Sequence, residues 1–102
     1  MKIIHIKNSF IPKILKANAI VLYPFVFYKE KEPSLKTINH EAIHIQQIEK
    51  IGVIRYYLSY QLEFLSLYIR GNSLNEAYRK ISYEIEAYEN ERDYNYINRE
   101  KL

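Results

Sequence analysis

Only two glycines occur in the 102 residues, Gly52 and Gly71, and each falls where a helical pattern stops. On both sides of Gly52, in "EAIHIQQIEKIGVIRYYLSYQLEF", apolar residues recur at helical spacing. The chain is thereby committed to two helices joined with almost no loop, one from about Leu35 to Ile51 and one from Val53 to about Arg70. Pro33 and Ser34 supply the start signal of the first, with Thr37 and Asn39 as competing caps. Ser73 followed by Glu76 is a capping-box pattern. It opens a third helix from about Leu74 to at least Tyr88 and at most Tyr96.

Upstream of the helices the pattern is of strands. "KIIHIK" is short and rich in β-branched residues, and Ala19–Tyr28 reads as a longer strand. Pro24 has no N–H to give to a ladder, so that strand is expected at an edge or with a bulge. Two short strands, the second an edge strand before the first long helix, followed by three helices make an α+β order in one domain over 1–102. A hydrophobic share of 48% with 26% charged residues suits a chain that folds around a single core.

Composition also removes several functions. Without cysteine there are no disulfides, no thiolate metal sites and no cysteine nucleophile. The net charge of +3 comes from 15 basic residues scattered among 12 acidic ones. Runs such as "YKEKEP" mix the signs, so no nucleic-acid partner is expected. "MKIIHIKNSFIPK" lacks the apolar run and cleavage site of a secretory signal, which points to a cytoplasmic protein. Val53–Ile69 approaches membrane-span length but contains Arg55, Gln61 and Glu63, and a buried central helix is expected there. Peripheral contact with a bilayer stays open. So does homo-oligomerisation, because this helix is apolar on nearly every side.

The remaining signal is chemical. "NHEAIHIQQ" carries His40 and His44 four residues apart, which on a helix project side by side, about 40° apart around the axis. Two imidazoles so placed suit one Zn²⁺, and Glu41, rotated about 100° from His40, lies beside the ion as a base for a metal-bound water. Chance supplies this five-residue pattern in roughly one such chain in a hundred, so placement matters. Ile43, Ile48 and Ile51 share the histidine side, which turns the pair toward the core. Gln47 falls on that side too and reads as a donor near the histidines, with packing or capping as its alternative role.

A hydrolytic zinc site needs a third protein ligand. His5 lies in the first strand and reads as an ordinary strand residue. The third helix offers Glu84, Glu86, Glu89 and Glu91. Taking Leu74, Ala77, Ile81, Ile85 and Tyr88 as an apolar stripe puts Glu84 and Glu89 on its borders, and Glu86 and Glu91 in solvent. Periodicity does not choose between Glu84 and Glu89.

"HEAIH" on one helix with "SYEIEAYEN" on a later one resembles the gluzincin metallopeptidases. The likeness is to compact cores such as the soluble minigluzincins, the CAAX-processing proteases and the β-lactam-sensor proteases. It extends to a group of small bacterial proteins with "NHE-x-IH-x-x-QQ" and a later "E-x-EAY". The resemblance implies a Zn²⁺ cofactor, a peptide or protein substrate, and Glu84 as third ligand, the first glutamate of a Glu-x-x-Ala-Asp pattern. Tyr88 stands where that pattern has an aspartate that orients a zinc-bound histidine. The chain has no histidine where the archaeal minigluzincins place their third ligand. Glu89 with Asp93 also spells Glu-x-x-x-Asp, which makes Glu89 the alternative ligand. The function so implied is zinc-dependent peptide hydrolysis with Glu41 as general base. Its alternatives are a structural zinc site without catalysis and a metal-free module that oligomerises through the second helix.

Overall fold

The computed structural model describes residues 3–14 and 17–97. Within them the order is β1 Ile4–Ile6, α1 Phe10–Ile14, β2 Ala19–Leu22, β3 Phe25–Tyr28, α2 Leu35–Ile51, α3 Val53–Ile69, α4 Leu74–Lys80 and α5 Ser82–Asn90. The fold is α+β, a small N-terminal sheet followed by helices. Lys2, at the start of the first expected strand, lies outside the described residues.

The long strand expected over Ala19–Tyr28 is instead a hairpin. Pro24 removes a donor the ladder would need, so Tyr23 and Pro24 form the two-residue turn between β2 and β3, through a cis peptide bond. The sheet order is β1-β3-β2, with β1 parallel and β2 antiparallel to β3. The edges are therefore β1 and β2, while Phe25–Tyr28 runs down the centre. From that centre Val26 and Tyr28 pack with Ile45 of α2, and Val21, Tyr23 and Ile38 close around them. Tyr57 of α3 pins the hairpin: its O–H donates to Val21 O at 3.0 Å and it accepts from Tyr23 N–H at 3.0 Å.

The central helix is α2. Ser34 caps its first turn by accepting from Thr37 N–H at 3.1 Å, and Gly52, at φ 98°, closes its end. One side of α2 meets the sheet through Ile45. The other buries His40, Ile43, His44, Gln47 and Ile48 among the helices. By contrast α3, expected as the buried centre, buries only Tyr56 completely. A three-stranded sheet and one helix layer leave it a single inner face to cover.

The third expected helix is two. Ile81 adopts an extended conformation (φ −61°, ψ 134°) between α4 and α5. The capping box of Ser73 and Glu76 opens α4, whereas α5 is capped from another element. Glu63 of α3 accepts from Ser82 N–H at 2.9 Å and Ser82 O–H at 2.8 Å, placing a carboxylate on the helix N-terminus. No described helix is long and apolar enough to cross a membrane.

Candidate metal centre

The break at Ile81 decides which side of α5 faces α2. Ala77 and Ile81 are buried as the apolar stripe requires, but Ile85 and Tyr88 are more than a third exposed. Glu84 and Ala87 take the inner positions. Glu84 thereby meets the two histidines, while Glu89 points outward and stands outside the cluster. His5 is also apart from it, in contact with the Tyr28 hydroxyl at 2.9 Å.

Three atoms converge. His40 Nε2 and His44 Nε2 are 3.2 Å apart, and Glu84 Oε1 lies 3.2 Å from the first and 3.1 Å from the second. Three ligands around a tetrahedral ion with bonds of about 2.0–2.1 Å would be separated by about 3.3–3.4 Å. The observed triangle is close to one face of that tetrahedron.

The surrounding hydrogen bonds tell which form each ligand takes. Gln47 Nε2 sits 3.0 Å from Tyr83 O and 2.7 Å from Glu86 Oε1, and both are acceptors. The amide is thus fixed with Oε1 toward His44 Nδ1, at 2.9 Å. That nitrogen must carry the proton, which leaves a lone pair on Nε2 of neutral His44. Tyr56 OH stands 3.3 Å from the same Nδ1. Glu91 Oε1 does for His40 what Gln47 does for His44, accepting from Nδ1 at 2.8 Å. Tyr60 O–H donates to Glu84 Oε2 at 2.7 Å, and burial, then the Glu84 charge, holds that phenol protonated. Glu84 Oε1 is left facing the histidines.

Two imidazole lone pairs and one carboxylate oxygen therefore point at the same place. Such an arrangement is repulsive unless a positive charge sits there. Without metal the charge is a proton. Burial opposes it at His44, but the Glu84 hydrogen bond and the charges of Glu84 and Glu41 prevail, and its pKa is pushed up to about 9. His40 rises for the same reasons, again against burial. Glu84 moves the other way: burial would raise it, but hydrogen bonds from His40 and His44 hold it well below the usual carboxylate range. The donor set, two histidines and a carboxylate with orienting partners behind each, fits Zn²⁺ or a similar borderline cation.

Glu41 is beside this triangle and not part of it. Its Oε2 lies 3.9 Å from His40 Nε2, and no hydrogen bond within the described residues engages its carboxylate. Burial raises its pKa, against the pull of both histidines.

Several expectations need revision. Gln47 serves as an acceptor toward His44, not a donor. Tyr88 touches His40 edge-on, with ring centroids 4.6 Å apart, but the hydrogen bond at His40 Nδ1 belongs to Glu91. Glu86 and Glu91 are not solvated: Glu86 accepts from Gln47 and from Tyr96 O–H, and Glu91 holds His40. Asn39, a candidate cap by sequence, acts elsewhere. It ties the end of α5 to α2 by donating to the carbonyls of Asn90, Glu91 and Asp93, and so keeps Glu91 within reach of His40. The signal for Glu91 was its position two turns after Glu84, on the same side of the helix.

If the cluster holds zinc and Glu91 orients His40, Glu91→Ala should weaken that binding about 10–100-fold, with Glu91→Gln restoring part of it, since an amide oxygen also accepts. Competition with a chromophoric chelator measures this, and equal affinities for all three proteins would remove Glu91 from the centre. No protein-family model, no curated protein and no solved structure matches this chain, so the reading of the centre stands on its chemistry alone.

Proposed function

We propose that the protein is a zinc-dependent hydrolase of peptide bonds, with a centre of gluzincin type. The observation that carries this is the convergence of His40 Nε2, His44 Nε2 and Glu84 Oε1 on one point, beside the Glu41 carboxylate, which no hydrogen bond within the described residues occupies. Three protein ligands suit a catalytic zinc, which keeps a fourth position for water or substrate, whereas structural zinc is normally closed by four. Bound there, zinc supplies acidification of a water and polarisation of a carbonyl. His40, His44 and Glu84 hold the ion. Glu41 accepts the water proton and returns it to the leaving amine. Tyr60, Gln47 and Glu91 keep the ligands aimed, with each histidine Nδ1 proton turned away from the metal side.

Metal analysis of the protein purified without added zinc tests the proposal. About one equivalent is expected, lost in His40→Ala and in Glu84→Ala, with circular dichroism to show that both variants fold. Less than half an equivalent, unchanged by either substitution, would overturn it.

A second reading is favoured by burial. None of His40, Glu41, His44 and Glu84 is more than 9% exposed, which is the setting of a structural ion that ties α2 to α5 in a small core. Both readings require the metal, and they part at Glu41.

A further inference from the structure

The outer side of α3 is apolar and nothing among the described residues covers it. Ile54, Leu58, Leu62, Leu65 and Ile69 are exposed by 83, 60, 58, 54 and 74%. At 100° per residue these five fall within an arc of about 80°, a stripe roughly 22 Å long. The opposite side, with Tyr56, Tyr60 and Glu63, is the one engaged with the rest of the fold.

Four of the five residues of the stripe are placed symmetrically, the mirror position of Leu62 being Gln61. About a point between Gln61 and Leu62, Ile54 mirrors Ile69 and Leu58 mirrors Leu65, in residue type and in distance along the helix. A two-fold interface pairs residue i of one copy with j of the other and j with i, so in an antiparallel pair these four side chains meet partners of their own kind. The spacing from Leu58 through Leu62 and Leu65 to Ile69 is four, three, four, which is the seam of a paired helix. The five side chains expose roughly 600 Å² of apolar surface per protomer, against about 800 Å² per partner in an interface of standard size. Tyr68, half exposed at the stripe's edge, adds to that.

We propose that two copies of this chain associate through α3 packed antiparallel on itself, Ile54 against the partner's Ile69 and Leu58 against the partner's Leu65. A bilayer fits the same surface less well. A helix lying in a membrane turns a polar, lysine- and arginine-rich side to water, whereas the other side of α3 is engaged with the fold. This inference does not depend on the metal. It accounts for a helix with an apolar outer stripe that buries only Tyr56 completely among the described residues.

Sedimentation equilibrium at tens of micromolar should give twice the monomer mass. Leu62→Glu, which brings two like charges together near the axis, should raise the dissociation constant about a hundredfold or more. Leu62 is more than half exposed, so the variant is expected to keep the wild-type thermal unfolding of the monomer. The absence of cysteine allows a second test that needs no destabilised variant. Mixed Leu58→Cys and Leu65→Cys proteins should cross-link to each other faster than either does to itself. A wild-type monomer at hundreds of micromolar would overturn the proposal, as would a dimer indifferent to Leu62→Glu. Faster self-cross-linking of Leu58→Cys would overturn the antiparallel arrangement. Monomers that float with phosphatidylcholine–phosphatidylserine vesicles would assign the surface to a bilayer instead.

Discussion

Replacing Glu41 by glutamine should lower peptide hydrolysis about 10²–10⁴-fold while zinc stays bound at one equivalent. The amide has the volume of the carboxylate, so the packing of α2 is kept and only the capacity to take a proton is lost. Position is the reason for so large an effect. The carboxylate is buried, 3.9 Å from a histidine nitrogen of the triangle, and engaged by no hydrogen bond within the described residues. Burial raises its pKa, which brings it nearer to that of a base working at neutral pH. His40→Ala should instead lose metal and turnover together. Turnover unchanged in Glu41→Gln would remove Glu41 from the chemistry. Zinc lost in Glu41→Gln would make it a ligand. A wild-type protein that holds zinc but cleaves no peptide in a broad library would leave the structural ion as the correct reading.

How far this site was legible in the sequence differs between its two helices. On α2 everything needed is local. Ser34 and Gly52 mark the ends, and four-residue spacing puts His40 and His44 on one side. On α5 the deciding feature is not local. Ile81 is neither glycine nor proline, yet it breaks the helix, because Glu63, nineteen residues earlier in the chain, caps the new start at Ser82. An unbroken stripe through Ile85 and Tyr88 therefore misjudged Glu86 and Glu91 and left Glu84 and Glu89 equivalent; only the likeness to a Glu-x-x-Ala pattern preferred Glu84. Tyr60 was hidden for another reason. Eleven tyrosines look alike in sequence, and only the packing of α3 brings this one to Glu84. The hairpin was half legible: Pro24 announced that the ladder must be interrupted, but not that the chain would reverse there. α1 gave no signal, since five residues are too few to show a period.

The second large effect should be the stability lost on removing the metal, and it should depend on pH. Zinc at a thousandfold excess over its dissociation constant contributes about 4 kcal/mol. For a domain of this size that corresponds to about 15–30 °C in Tm, so a chelator should lower Tm by that much at pH 8. At pH 6 the loss should be much smaller, because of one group. The metal-free protein keeps His44 protonated, with a pKa of about 9 against an ordinary value of 6.5. A raised pKa stabilises the fold fully below pH 6.5, and that contribution fades as pH rises through 9. The metal-free form thus weakens over an interval in which the zinc form, whose His44 carries no proton, stays constant. Seen from the metal, zinc must displace that same proton, so its apparent affinity should rise about tenfold per pH unit up to pH 9. Two units of pH then remove roughly 2.7 kcal/mol of zinc stabilisation, leaving a shift of about 5–10 °C at pH 6. Thermal unfolding with zinc and with chelator from pH 6 to 9 measures the difference directly. A gap between the two curves that stays constant, or widens toward pH 6, would mean that no proton and metal compete at His44. The convergence of lone pairs on which the centre is built would then need another explanation.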